Sequence, residues 1–333
     1  MPVLCQIYLE KTRDGVHRSG EPVRGTLIYS VDKPTKFESI HVKLLGKGKC
    51  SWSESDGDNT THYSNKEEYV NQSCNVLQST TDKKLPAGKY EFPFHFVLPN
   101  EIPASIKNKT CTIEYKIIAE FVKAKFFSAT SKFTTEIPVY AYVSRTSVEP
   151  LHFGLQKELF SLTSNNKVIV KAVLDKTVAS PGENLTVKMT VHNDTGLVIT
   201  IKTQLYRYFT YISSSKSKRV DKESVKETTS VKTLKERSVS NLMFTVPILP
   251  SLYSIQHTKI MTGEYRVKVT ADLPFPHINE VVEVPVVIGE TRDRPGPEVR
   301  VLDDKPSSSK DRYEKEDKGE WNGDDNWDKL RIS

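Results

Sequence analysis

The sequence predicts an all-β protein built from two consecutive β-sandwiches and a trailing charged segment. Three observations carry that reading: apolar side chains recur with a period of two, turn residues fill the gaps between those runs, and four sequence blocks repeat in one order across the two halves.

The most legible stretch runs from Leu85 to Phe121. Phe92, Phe94, Phe96 and Leu98 alternate with Pro93, His95 and Val97 and stop at Pro99-Asn100, which predicts a strand with its phenylalanines inward and His95 outward. After a turn punctuated by Pro103, Ile113, Tyr115, Ile117, Ala119 and Phe121 share one face of a second strand. Two half-buried strands joined by about a dozen residues suit a sandwich better than a tight hairpin.

Around this unit, strands are expected at 3–9, 23–31 and 40–45, separated by Asp14-Gly15, Ser19-Gly20 and Asp32-Lys33-Pro34. Residues 51–73 are polar and acidic and read as a long loop or a ragged hairpin. Alternation returns over 126–142, and 144–166, with Pro150, Gly154 and no hydrophobic period, reads as a linker. The second half then echoes the first. Ser180-Pro-Gly182-Glu183 repeats Ser19-Gly20-Glu21, Ile201-x-Thr-x-Leu205 repeats Ile40-x-Val-x-Leu44, Phe244 to Ser251 loosely repeats Phe96 to Ser105, and Gly263-Glu-Tyr265 repeats Ile113-Glu-Tyr115. The expected organisation is a sandwich at 1–147, a linker at 148–166, a second sandwich at 167–290 and a disordered charged tail at 291–333.

Net charge is +6 over 333 residues, but the segment from Thr291 holds ten Lys and Arg against twelve Asp and Glu, so the body is more basic than the whole. Such a body suits anionic lipid headgroups or phosphorylated peptide, or is simply a solvated surface. The run between Ile212 and Ser240, with eight basic and four acidic residues, reads as an exposed edge or as a patch facing phosphate or lipid. No run is apolar enough to span a bilayer, and the N-terminus lacks secretory character, so a cytosolic protein is expected. Cys5, Cys50, Cys74 and Cys111 form no C-x-x-C pair and are expected as free thiols.

Enzymatic signatures are missing from the text. The eight histidines show no H-E-x-x-H or metal spacing, Gly46-Lys-Gly48 lacks the rest of a dinucleotide loop, and no phosphate-binding loop or G-x-S-x-G occurs. No catalytic residue, cofactor or metal is expected. Nor is nucleic acid, since no aromatic-basic RNA-binding motif is visible.

Leu85-Pro-Ala-Gly, Phe92-Pro-Phe-His-Phe, Leu98-Pro, Ile102-Pro-Ala-Ser and Ile113-Glu-Tyr-Lys-Ile closely resemble the signature of arrestin N-domains, above all those of α-arrestins, and the resemblance spans roughly residues 1–290. It implies two immunoglobulin-like sandwiches acting as a non-enzymatic adaptor. Such an adaptor grips cytoplasmic parts of membrane cargo or receptor tails at the plasma membrane and endosomes, and recruits endocytic or ubiquitin-dependent trafficking machinery. A retromer-like coat subunit with permanent partners is the alternative. By the same resemblance Lys11 and Arg13 fall where basic residues sense receptor phosphate, the other reading being ordinary turn charges. The tail has no Pro-Pro-x-Tyr motif through which α-arrestins recruit ubiquitin ligases, and no buried charged cluster like the one that locks visual arrestins is legible. Trp321, Asp324, Asp325 and Trp327 instead form an acidic tryptophan motif that docks on a trafficking adaptor, folds back on the basic body or has no role.

Overall fold

The fold is organised by four principal β-sheets, paired around two apolar cores. The computed structural model describes residues 3–12, 14–77, 84–123, 130–143, 149–159 and 166–292, and every regular element among them is a strand. Arg13 and the Trp321–Trp327 motif lie outside the described residues.

In the first half, β1 (Leu4–Leu9), β3 (Pro22–Val31) and β6 (Gly88–Val97) form an antiparallel sheet in the order β1-β3-β6. Facing it, β4 (Phe37–Asp56) pairs with β5 (Asn59–Asn75) and β8 (Cys111–Lys123), and β8 also takes β7 (Ile106–Lys107) and β9 (Ser131–Ile137). The alternation in the sequence decides which face each strand buries. Phe94 and Phe96 from one sheet meet Ile113, Tyr115, Ile117 and Phe121 from the other, while His95 is exposed on the outer face. Tyr29 and Phe121 close the space between the sheets edge to face, with ring centroids 5.2 Å apart.

The second half repeats the plan. One sheet runs β11 (Leu151–Glu158), β12 (Lys167–Leu174), β14 (Asn184–Asn193), β17 (Ser238–Pro247); the other runs β13 (Val178–Ala179), β19 (Glu280–Ile288), β18 (Met261–Asp272), β15 (Ile199–Ile212), β16 (Lys218–Leu234). A bulge between Thr203 and Leu205 interrupts the β15–β16 pairing, and the Thr228 hydroxyl accepts from the displaced Leu205 N–H at 2.8 Å, so the buried amide keeps a partner.

The internal repeat extends to individual hydrogen bonds. Gly20 and Gly182 both have left-handed φ angles, +77° and +87°. Their N–H groups donate to Leu98 and Ile248 carbonyls, and Leu98 and Ile248 donate back to Glu21 and Glu183. The short strands β2 (His17–Arg18) and β10 (Val139–Tyr140) pair in parallel just as β13 and β19 do. Ser105 accepts the Val139 N–H on its hydroxyl and donates its own N–H to the Val139 carbonyl; Ser254 does the same with Ile288. The partner of Ser105 is therefore Ser254, not Ser251.

One expectation is decided and two need correction. Of the two readings for residues 51–73, the hairpin holds and the loop does not: β4 and β5 run as one long hairpin that turns at Gly57, and Trp52 and Val70 are buried. Polar residues dominate that stretch because its distal part, 53–62, is solvated on both faces, while alternation with a buried side survives only near Trp52 and from Tyr63 to Cys74. Residues 151–158, expected within the linker, form β11 in register with β12; Gly154 hides the period, because a Cβ there would sit 2.5 Å from the Val170 carbonyl oxygen. Finally, Cys50 and Cys111 are a disulfide, whereas Cys5 and Cys74 are free. The two bonded cysteines lie 61 residues apart in sequence yet directly opposite each other on β4 and β8, a register that spacing alone does not reveal.

The first core does not stop at the first half. Phe209, Tyr211, Ile255, Ile260 and Met261, all from the second half, are buried within it. Residues 1–292 accordingly form one compact unit.

Candidate functional site

Period-two alternation turns Lys202, Tyr206 and Tyr208 of β15 to the outer face of the five-stranded sheet, where each is half-buried. Register then supplies their neighbours. Tyr206 is opposite Arg266 on β18, Tyr208 is opposite Lys222 on β16, and Lys268 is opposite Glu283 on β19. The result is a ladder of cations on aromatic rings. Lys222 Nζ lies 4.9 Å from both tyrosine ring centroids, the Arg266 guanidinium 4.7 Å from Tyr208, and Lys268 Nζ 5.1 Å from Tyr206.

Glu283 ties the ladder together. Its carboxylate accepts from the Tyr208 hydroxyl at 2.7 and 2.8 Å and from Lys222 at 2.9 Å, and Arg266 lies 3.5 Å away. Burial raises the Glu283 pKa, but the Tyr208 hydrogen bond and the Lys222 and Arg266 charges outweigh it, and the net shift is downward. Lys222 is held charged by its contact with Tyr208 and then by Glu283. The face thus carries Lys202, Lys222, Arg266 and Lys268 against Glu264 and Glu283, all at fixed positions on neighbouring strands. Chemically, it suits carboxylate or phosphate oxygens.

A second charged group joins the two halves. Arg18 donates from Nε and Nη2 to both Glu290 oxygens, at 2.6 and 2.9 Å, and from Nη2 to Asp14 at 2.6 Å. Separate polar contacts also join the halves: Glu67 accepts from Thr258 Oγ1 and Lys259 N at 2.8 Å, Asn65 donates to the Ile212 carbonyl at 3.0 Å, and Asn108 donates to the Tyr211 hydroxyl at 3.1 Å. Arg18, Asp14 and Glu290 thus form a charged cluster around a largely buried guanidinium, although none was legible in the sequence.

Of the residues singled out from sequence, Lys11 is exposed just past the end of β1, where Glu10 N–H donates to the Arg24 carbonyl. The structure does not join it to the tyrosine ladder. The ladder itself was missed. Tyr206-x-Tyr208 and Arg266-x-Lys268 each show the right period, but only strand register brings the two pairs together.

A model of the arrestin (or S-antigen) N-terminal domain matches residues 5–143, and one of the arrestin C-terminal domain matches residues 164–292. The chain belongs to the arrestin family. It is similar to human arrestin domain-containing protein 5, with 25% identity over 316 residues, covering 86% of this chain and 88% of the relative. Mouse arrestin domain-containing protein 4 is 21% identical over 226 residues, covering 64% of this chain and 54% of that protein. Human arrestin domain-containing protein 1 is 25% identical over 186 residues, covering 54% and 41%. Arrestin-family proteins are non-enzymatic adaptors, and two sandwiches of one plan are what the paired family domains lead one to expect. No described helix is long and apolar enough to cross a membrane.

Proposed function

We propose that this arrestin-family chain is an adaptor in the cytoplasm that holds an acidic or phosphorylated cytoplasmic segment of a membrane protein and links it to endocytic or ubiquitin-dependent trafficking machinery. The observation that carries the proposal is the cation and tyrosine ladder on the outer face of β15, β16, β18 and β19. Cations stacked on rings lose less conformational freedom on binding than solvated lysines do, and an incoming anion meets charges already in place. Anionic lipid headgroups at the plasma membrane or endosomes present the same oxygen chemistry. Lys11 and Arg13 supply a second contact for cargo phosphate, and the Trp321, Asp324, Asp325 and Trp327 motif docks a trafficking adaptor.

The test is binding of phosphorylated and unphosphorylated cytoplasmic peptides to the full chain and to Lys222→Glu/Lys268→Glu. The expected result is a preference for the phosphorylated peptides that weakens with salt and drops at least about tenfold in the variant. Equal binding by both proteins would remove the face from the mechanism.

A further inference from the structure

Edge strands in soluble proteins are protected by charge, proline or a bulge, because their free amide and carbonyl groups pair with any matching strand. Most edges here follow that rule. β5 carries Lys66, Glu67 and Glu68, β6 carries Lys89, Glu91 and Pro93, β11 carries Lys157 and Glu158, and β16 is densely charged. Gln72 further caps β6, donating to the Val97 carbonyl at 2.8 Å and accepting its N–H at 3.4 Å.

β17 breaks the rule. It ends its sheet among the described residues, pairing with β14 alone over ten residues without a register shift, and Ser238–Pro247 contains no charged side chain. Its only proline is the last residue. Val239 and Met243 project from its outer face with 61% and 69% of their surface exposed. β1 is also uncharged, but it is only six residues long against the ten of β17.

We propose that β17 is an interface for strand addition and that its occupant is β17 of a second copy of this chain. A charged partner strand would find no opposite charge on β17, whereas an identical neutral strand meets no repulsion. An antiparallel two-fold pairing centred on Asn241 sets Asn241 opposite Asn241 and Val239 opposite Met243 of the second copy. It also sets Ser240 opposite Leu242, covering a leucine that is only half-buried in the monomer, and Ser238 opposite Phe244, so no like charges oppose each other. The outer rows on either side of the axis become continuous across eight strands. A single added strand is a small contact against the roughly 1,200–2,000 Å² of a stable complex, so the dimer is reversible and concentration-dependent.

Sedimentation of the full chain from micromolar to submillimolar concentration tests this. The expected result is a reversible monomer–dimer equilibrium that Val239→Lys/Met243→Lys weakens at least about tenfold, because each new lysine faces another across the axis. Both positions are exposed, and far-UV circular dichroism confirms that the variant is folded. A second measurement reads the register. Asn241→Cys should form an interchain disulfide joining position 241 to itself, mapped by mass spectrometry to separate it from Cys5 and Cys74, whereas Met243→Cys should cross-link far less. A monomer at every concentration, an undiminished dimer in the lysine variant, or equal cross-linking by the two cysteine variants would overturn the proposal. So would saturable capture of a foreign peptide strand at β17 with no self-association.

Discussion

Arg18 and Glu290, 272 residues apart, form a two-pronged ion pair that joins the parallel edge of the first sandwich to the end of the second. The Arg18 side chain is 18% exposed and that of Glu290 37%, so solvent screens part of the attraction. A double-mutant cycle of Arg18→Ala and Glu290→Gln should give a coupling of about 1 kcal/mol by urea denaturation. Strictly additive losses would show that the pair contributes nothing.

Asp14 adds a pH dependence to the same cluster. The Arg18 hydrogen bond lowers its pKa from 3.8 to about 2. A carboxylate with a depressed folded-state pKa contributes stability above its unfolded value and loses it as the pH falls. The stability gap between the wild type and Asp14→Asn should therefore be fully open above about pH 4 and close toward pH 2. Thermal melts across that range would show a constant gap if the Asp14 charge were irrelevant.

Gly20 and Gly182 allow a comparison within one molecule. Both have φ values that disfavour a side chain, and each alanine replacement should cost about 1 kcal/mol for that reason. A Cβ on Gly182 meets nothing within 4 Å, whereas one on Gly20 falls 2.2 Å from Asn100 Oδ1 and 2.8 Å from Arg292 Nη1. Gly20→Ala should also break the 3.0 Å Arg292–Asn100 hydrogen bond and be the more damaging of the two by denaturant melts.

The Cys50–Cys111 disulfide makes a chemical prediction. Unfolded without reductant, the chain should show two reactive thiols, from Cys5 and Cys74, and with reductant four. Closing a 61-residue separation should stabilise the fold by about 2–4 kcal/mol, so a reduced sample or Cys111→Ser should melt at lower temperature. Four thiols without reductant would refute the bond.

Glu283→Gln tests the tyrosine ladder in the opposite direction from the lysine reversals. Glu283 is the carboxylate bound to both Tyr208 and Lys222, and removing its charge frees Lys222 for an external anion. Affinity for a phosphorylated peptide should rise several-fold in a titration at low salt. A fall would mean that Glu283 acts mainly by holding the face in shape.

What the sequence revealed depended on range. Alternation placed Phe94, Phe96, Ile113, Tyr115 and Phe121 in the core, because the direction of a strand side chain is set by the residue's own position. The repeat of Gly20 in Gly182 was visible for the same reason, since a left-handed turn requires a particular residue. Cys50 with Cys111, Arg18 with Glu290, and Tyr206 with Arg266 depend on register between distant strands, and no local pattern encodes it. The Trp52 stretch was left between a loop and a hairpin, because its many polar residues masked the inward side chains of Trp52 and Val70.

Phe209, Tyr211, Ile255, Ile260 and Met261 belong by sequence to one half and by packing to the other. Severing the chain after residue 143 would strip these side chains from the first sandwich and leave them bare on the second. Either fragment would carry an oily wound that invites precipitation, and soluble protein should come from the uncut pair alone.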